Sequence, residues 1–180
     1  MPKMQPEVFS SSVIHRYNEG KPVLSKGDIP YPADLVFNAG VAKFNGEYVM
    51  VFRDGYERTS WGGTKYTVIG IATSDDGKKW DVRPTPFMTC EMMNDPDVTM
   101  VYDPRLTVIE GRLYICFAVD TKHGVRGGVA VTDDLEHIEN LSLSVPDNRN
   151  MVLFPERIGG NYVRLERPMP VYSRGGKDRF

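Results

Sequence analysis

The sequence predicts an all-β chain that forms part of a β-propeller, and three observations carry that expectation. A hairpin-like unit recurs around a glycine. A second unit, built on Ser/Thr-Asp-Asp, follows the first two copies of it. No apolar period of 3.6 residues persists long enough to propose a helix.

The glycine-centred units are VFNAGVAKFNGEYVMVFR (Val36–Arg53), VYDPRLTVIEGRLYICFA (Val101–Ala118) and VLFPERIGGNYVRLER (Val152–Arg167). Phe44, Ile109 and Ile158 stand two places before Gly46, Gly111 and Gly160, and a run of β-branched, aromatic and aliphatic residues follows each glycine. Strand-like runs joined by Asn-Gly, Glu-Gly and Gly-Gly read as hairpins. The second unit is IGIATSDDGKKW (Ile69–Trp80), matched by GVAVTDDLEHI (Gly128–Ile138). Hairpin plus hairpin makes a four-stranded unit, the pattern of a propeller blade. The third copy has its first hairpin and then reaches YSRGGKDRF. Closure takes about four blades or more, and the chain supplies about two and a half. The expected division is an extended leader over 1–35 and a partial propeller over 36–180. A self-contained β-sandwich of about ten strands is the architectural alternative.

Composition narrows the class. Of 180 residues, 41% are hydrophobic and 26% charged, as in a soluble globular protein. A net charge of −2 gives no basic excess for a nucleic-acid partner. No apolar run approaches the ~20 residues of a membrane span, and MPKMQPEVFSSSVIHRYNEG lacks a secretory core. Cys90 and Cys116 make no disulfide framework, and Cys116, in LYICFAV, reads as a small buried hydrophobe. A reducing, cytoplasmic setting is the expectation. His15, His123 and His137 lack metal-ligand spacing. The glycine-rich stretches at 62–63, 124–128 and 174–176 lack the context of a phosphate loop and read as turns. FMTCEMMNDPDVTM joins the first two units as a plain connection or a flexible lip.

Repeat equivalence points to one shared pocket. Asn38 and Asp103 each stand eight residues before their glycine, Arg53 and Arg167 seven after, and the Phe154–Glu156 stretch is the expected third counterpart of Asn38. Asp103, in VYDPRL, is either a turn-capping residue or a proton donor. Arg149, in PDNRN, is a loop charge or a ligand contact. Arg167 ends an apolar strand and needs a partner or solvent. Glu156 and Arg157 read as a functional pair or a surface ion pair of little consequence.

At these residues the chain resembles glycoside hydrolase family 130, the mannoside phosphorylases and related β-mannosidases. VFNAGVAKFNGEYVMVFR, IATSDDGKKW, YDPRLTVIEGRLYICF, VAVTDDLEHI and DNRNMVLFPERIGGNYVRLERP carry the resemblance from about residue 34 onward. It implies a five-bladed propeller of the glycosidase type, about twice this length. It further implies that Asp103 is the single catalytic acid, that Arg149, Arg167 and Arg58 hold phosphate, and that Asn38, Arg53 and Tyr102 surround the sugar at the cleavage point. The loop from Asp54 to Thr67 differs in length from the family pattern, and Ala39 stands where some members carry serine.

Such a residue set suits phosphorolysis. Ordinary glycosidases need a second carboxylate as nucleophile or base. Phosphate is already an anionic nucleophile, so one acid suffices if arginines position the anion. Attack opposite the leaving group inverts configuration, giving α-mannose 1-phosphate. Asp103 must carry a proton when it acts. The resemblance implies that this proton passes through a sugar hydroxyl. The expected partners are a β-mannoside and inorganic phosphate as co-substrate, with no metal, no organic cofactor, no nucleic acid and no membrane. Exposed strand edges predict a homo-oligomer. The rival readings are a hydrolytic β-mannosidase on the same scaffold and a non-catalytic propeller fragment.

Overall fold

Each of the first two sequence repeats folds into a four-stranded antiparallel sheet, and the two sheets share one strand order. The computed structural model describes residues 17–169, 171–172 and 178–179. His15 and the glycine stretch at 174–176 lie outside the described residues. The first sheet runs β1 (Leu35–Phe44), β2 (Glu47–Arg58), β3 (Thr64–Ser74) and β4 (Asp81–Val82). The second runs β5 (Val98–Ile109), β6 (Arg112–Thr121), β7 (Gly124–Thr132) and β8 (Glu139–Leu143). The third repeat is a pair, β9 (Asn148–Leu153) with β10 (Arg164–Pro168), followed by the short β11 (Val171–Tyr172) and β12 (Asp178–Arg179). The described helices are single 3₁₀ turns, and none is long and apolar enough to cross a membrane.

Turn chemistry sets the register. Asn45 and Gly46 have φ of 50° and 92°, and Glu110 and Gly111 have φ of 51° and 79°. Two successive positive φ values match the twist of a tight hairpin, and they bring Phe44 opposite Glu47 and Ile109 opposite Arg112. The Ser/Thr-Asp-Asp corners also share one construction. Ser74 Oγ and Thr132 Oγ1 accept from the backbone N–H of Gly77 and Leu135. Asp76 and Asp134 each accept two further backbone N–H groups. Those hydrogen bonds hold both carboxyls below the usual range.

The core lies between layers. Val49, Val51, Ile69 and Ile71 of the first sheet meet Leu113, Ile115, Phe117 and Val119 of the second. On the opposite face of β6, Tyr114 and Cys116 meet Met151 and Leu153 of β9. The strand is therefore buried on both faces, which is why LYICFAV reads as an unbroken apolar run. FMTCEMMNDPDVTM proves to be a connection, with Phe87, Met88 and Met93 in the inter-sheet core. The stretch 124–128 is not a turn, as its glycines suggest, but the start of β7. A Cβ at Gly128 would lie 2.3 Å from the Phe117 ring and one at Gly127 2.6 Å from Met151. These glycines serve close packing.

Asp54 stands out on the far face of β2. That face, with Met50 and Phe52, is covered by Leu24, Ile29, Tyr31 and Ala33 of the preceding segment. Asp54 is fully buried, and neither carboxylate oxygen has a hydrogen-bond partner among the described residues. Burial first, then the charge of Asp34, pushes its pKa up to about 7. The folded state thus keeps a proton that the unfolded chain releases near 3.8. Stability from this group is complete below that value and lost as pH rises through about 7, a decline on the order of 4 kcal/mol. Thermal melts are expected to show a lower Tm at about pH 8 than at about pH 5, and Asp54→Asn should flatten the profile. A parent profile already flat over that interval would refute this account.

Candidate active site

Asn38 and Asp103 occupy equivalent bulges, and those bulges turn both side chains toward one point. The register of β1 with β2 shifts between Phe37 and Gly40, and that of β5 with β6 between Tyr102 and Arg105. Within those shifts, Asn38 and Asp103 have φ of 52° and 54°. Asn and Asp tolerate the left-handed region better than bulkier residues do. Bulges re-aim side chains out of the pleat. Here the result is a hydrogen bond from Asn38 Nδ2 to Asp103 Oδ1 at 2.7 Å.

Arg53 joins the same oxygen. It lies opposite Phe37 on β2, and its NH1 is 3.4 Å from Asp103 Oδ1. Its guanidinium centre sits 4.9 Å from the Phe37 ring centroid and 4.7 Å from that of Tyr102. Two aromatic faces thus hold one cation in place. Tyr102 is 4% exposed and donates to Asp120 Oδ1 at 2.5 Å. Burial, then that hydrogen bond and the Asp120 charge, raise its hydroxyl pKa, while a hydrogen bond from Arg149 opposes the rise. Tyr102 therefore connects the Asp103 group to Arg149.

Across β9 and β10, Arg149 is directly opposite Arg167. Like charges facing each other on an antiparallel pair are unfavourable, and the Arg149 Nε is buried without a hydrogen-bond partner among the described residues. An unmet buried donor beside two positive charges is a setting for an anion. Asn38, Asp103, Arg53 and Tyr102 thus form one chain of contacts, Arg149 stands near the Tyr102 hydroxyl, and Arg167 faces Arg149 across the strand pair. Arg58 stands apart, at the exposed end of β2 opposite Thr64, roughly 15 Å along the strand from Arg53.

The third repeat is offset from its expected alignment. Its register shift falls opposite Leu165/Arg167, and the positive-φ residue there is Asn150, at 58°. Asn150, not the Phe154–Glu156 stretch, is the counterpart of Asn38 and Asp103. Eight residues before Gly160 stands Val152, because the third hairpin is two residues longer between bulge and glycine, and the Phe154–Glu156 stretch falls past the end of β9. The register nevertheless keeps Arg53 and Arg167 equivalent, since Phe37 faces Arg53 as Arg149 faces Arg167. Sequence reading does not single out Phe37, Asp120 or Asn150. What the three copies share is an Asn or Asp at the positive-φ position, namely Asn38, Asp103 and Asn150.

Other candidates resolve simply. Arg157 does not pair with Glu156. It reaches Glu110 at 3.0 Å and the Tyr162 hydroxyl at 2.8 Å, because the hairpin turn carries it back over the second sheet. His123 and His137 pair with Asp97 and Asp134, and the described residues contain no cluster with the makings of a metal site.

Comparison with known proteins shows the family to which the chain belongs. A family model for glycoside hydrolase family 130, described as β-1,4-mannooligosaccharide phosphorylase, matches residues 7–174. A β-1,4-mannooligosaccharide phosphorylase from Ruminococcus albus is 30% identical over 168 residues, covering 87% of this chain and 47% of the relative. A β-1,2-mannobiose phosphorylase from Listeria innocua is 30% identical over 106 residues, or 58% of this chain and 29% of the relative. Among solved structures, a β-1,2-mannobiose phosphorylase from Listeria innocua in complex with β-1,2-mannobiose superposes with a TM-score of 0.63 at 22% identity, over 76% of this chain and 52% of that one. The chain therefore spans about half or less of the length of these relatives. With a family model matching nearly its whole length, this chain belongs to glycoside hydrolase family 130.

Proposed function

We propose that this chain carries the acid and phosphate-holding half of an inverting β-mannoside phosphorylase, completed as a five-bladed propeller by further chain. The observation that carries the proposal is the facing pair Arg149 and Arg167, joined through Tyr102 to the carboxyl group of Asp103. Asn38 and Arg53 both bind Asp103 Oδ1, which fixes the carboxyl plane and leaves Oδ2 to serve the substrate. In this reading Asp103 supplies the proton for the leaving oxygen, through a sugar hydroxyl. Arg149 and Arg167 hold phosphate against the anomeric carbon, where it takes the place of the second carboxylate of a glycosidase. The C–O bond to the leaving sugar breaks as the phosphate oxygen bonds on the opposite face, yielding α-mannose 1-phosphate. Asn38, Arg53 and Tyr102 line the mannose.

Inorganic phosphate is the co-substrate, with no metal or organic cofactor. A cytoplasmic homo-oligomer is the expected form.

The test is product formation from β-1,4- and β-1,2-mannobiose with and without phosphate. Mannose 1-phosphate is expected only when phosphate is present. Free mannose released at the same rate in both conditions would replace this reading with the hydrolytic one.

A further inference from the structure

The first strands of the three sheets repeat one arrangement, and the second sheet departs from it in one paired feature. Phe37, Tyr102 and Arg149 each stand one place before the positive-φ residue of their strand. Phe37 and Tyr102 face Arg53 and Ala118 across the hairpin, and two places past those partners come Gly55 and Asp120. The first sheet thus has phenylalanine with glycine, and the second has tyrosine with aspartate. In the third sheet the same positions hold Arg149 and Met169. A hydroxyl and a carboxylate enter together, and they enter in the repeat that carries the acid.

The two groups bond to each other, since Tyr102 donates to Asp120 Oδ1 at 2.5 Å, and Asp120 is half-buried near the end of β6. That bond is not what places the ring. Phe37 has no hydroxyl, yet its ring lies against the Arg53 guanidinium at 4.9 Å, much as the Tyr102 ring does at 4.7 Å. What the bond does fix is the hydroxyl hydrogen. A tyrosine hydroxyl has one hydrogen to give and lone pairs to receive with. Once the hydrogen is committed to Asp120, the oxygen can only accept. Arg149 is the neighbour placed to donate. The equivalence of the bulges sets it level with Tyr102, and farther along the same two strands Thr107 Oγ1 donates to Leu153 O at 3.5 Å. Arg149 accordingly stands near the Tyr102 hydroxyl.

We propose that Asp120 is a positioning residue for phosphate: by taking the Tyr102 hydrogen it makes that hydroxyl an acceptor for Arg149, and so holds the guanidinium where the anion arrives. The inference rests on the phosphorylase reading and extends it to a residue that touches no substrate. Arg149 needs such a hold. Its cross-strand neighbour is Arg167, and like charges in that relation push each other aside. A side chain fixed before its ligand enters loses less freedom on binding it. A carboxylate is also the stronger kind of acceptor, so the hydroxyl hydrogen stays with Asp120 and does not swing toward the arginine.

Steady-state kinetics of the full-length protein on β-1,4- and β-1,2-mannobiose, with phosphate varied, test the proposal. Asp120→Ala is expected to raise the KM for phosphate about tenfold, the lower end for a lost hydrogen bond to a charged group, while the KM for mannobiose stays near its parent value. Asp120→Asn keeps an accepting oxygen in place and should recover most of that loss. Tyr102→Phe removes the hydroxyl, keeps the ring and should match Asp120→Ala; it gives the same readout if Asp120→Ala does not fold. The double variant should be no worse than either single one, because both break one link. A phosphate KM unchanged in Asp120→Ala or in Tyr102→Phe, additive losses in the double variant, or Asp120→Asn as damaging as Asp120→Ala overturns the positioning role alone. Product released by the parent at one rate with and without phosphate overturns the phosphorylase reading and this role with it.

Discussion

Asp103→Asn is expected to lower kcat/KM for phosphorolysis by about 10²- to 10⁴-fold, the usual worth of a positioned general acid. The backbone should accept the change readily. Position 103 has φ of 54°, and its counterpart in the first repeat is an asparagine at 52°. The pairing with Arg53 is long, at 3.4 Å, so Tm should fall by only a few degrees. The role of proton donor makes a second demand. With an aryl β-mannoside, whose leaving group departs without a proton, the deficit should shrink markedly. Parallel kinetics on mannobiose and an aryl mannoside measure both. Equal activity of parent and variant on mannobiose would make Asp103 a turn residue. An equal deficit on both substrates would assign it positioning rather than acid catalysis.

Loss of the facing arginines should produce two effects of opposite sign. On the proposed reading, Arg149→Ala and Arg167→Ala each remove a charged donor to phosphate, worth about 1.5–3 kcal/mol. The KM for phosphate should therefore rise about 10- to 150-fold in each. The double variant should cost less than the sum, because both residues act on one anion. In the absence of phosphate the sign reverses. Residues 149 and 167 are direct cross-strand neighbours, so removing one charge relieves repulsion and Tm should rise slightly. Added phosphate should raise the Tm of the parent and leave the double variant unmoved. Lysine at either position should restore charge without the paired hydrogen bonds, and so recover only part of the affinity. A phosphate KM unchanged in all these variants would remove the arginines from the nucleophile's site.

Much of the architecture was legible in residue patterns, for reasons that can be named. Asn45-Gly46 announces a hairpin because two consecutive positive φ values cost little at Asn-Gly, and in Glu110-Gly111 the glycine supplies the second of them. Ser74 and Thr132 announce corners because a hydroxyl followed two places later by a carboxylate can collect the backbone donors of a tight turn. These are local rules, and local rules survive without knowledge of the fold. The errors came where the determinant was distant in sequence. Gly127 and Gly128 look like a turn, yet Met151 and Phe117 lie across them and make a strand of it. Arg157 looks paired with its neighbour, yet Glu110, forty-seven positions earlier, holds it.

The candidate site divides in the same way. Asp103, Arg149, Arg167, Asn38, Arg53 and Tyr102 stand out through the repeat and the family resemblance. Their contacts do not. The sandwich of Arg53 between Phe37 and Tyr102, and the link from Tyr102 to Arg149, depend on how three sheets lean together. Asn150 was hidden because two extra residues in the third hairpin defeat a count from the glycine, whereas hydrogen-bond register ignores that count.

The sequence by itself determined that the chain is all-β, that its unit has four strands, and which kinds of side chain come near the acid. Alternation, turn residues and repetition are properties of neighbours along the chain, so they can be read in one dimension. Only the tertiary structure decided that Arg149 faces Arg167 and that Asn38 and Arg53 share one oxygen of Asp103. Those facts arise from bulges and from the packing of one sheet on another, where a shift of one residue in register sends a side chain to the opposite face.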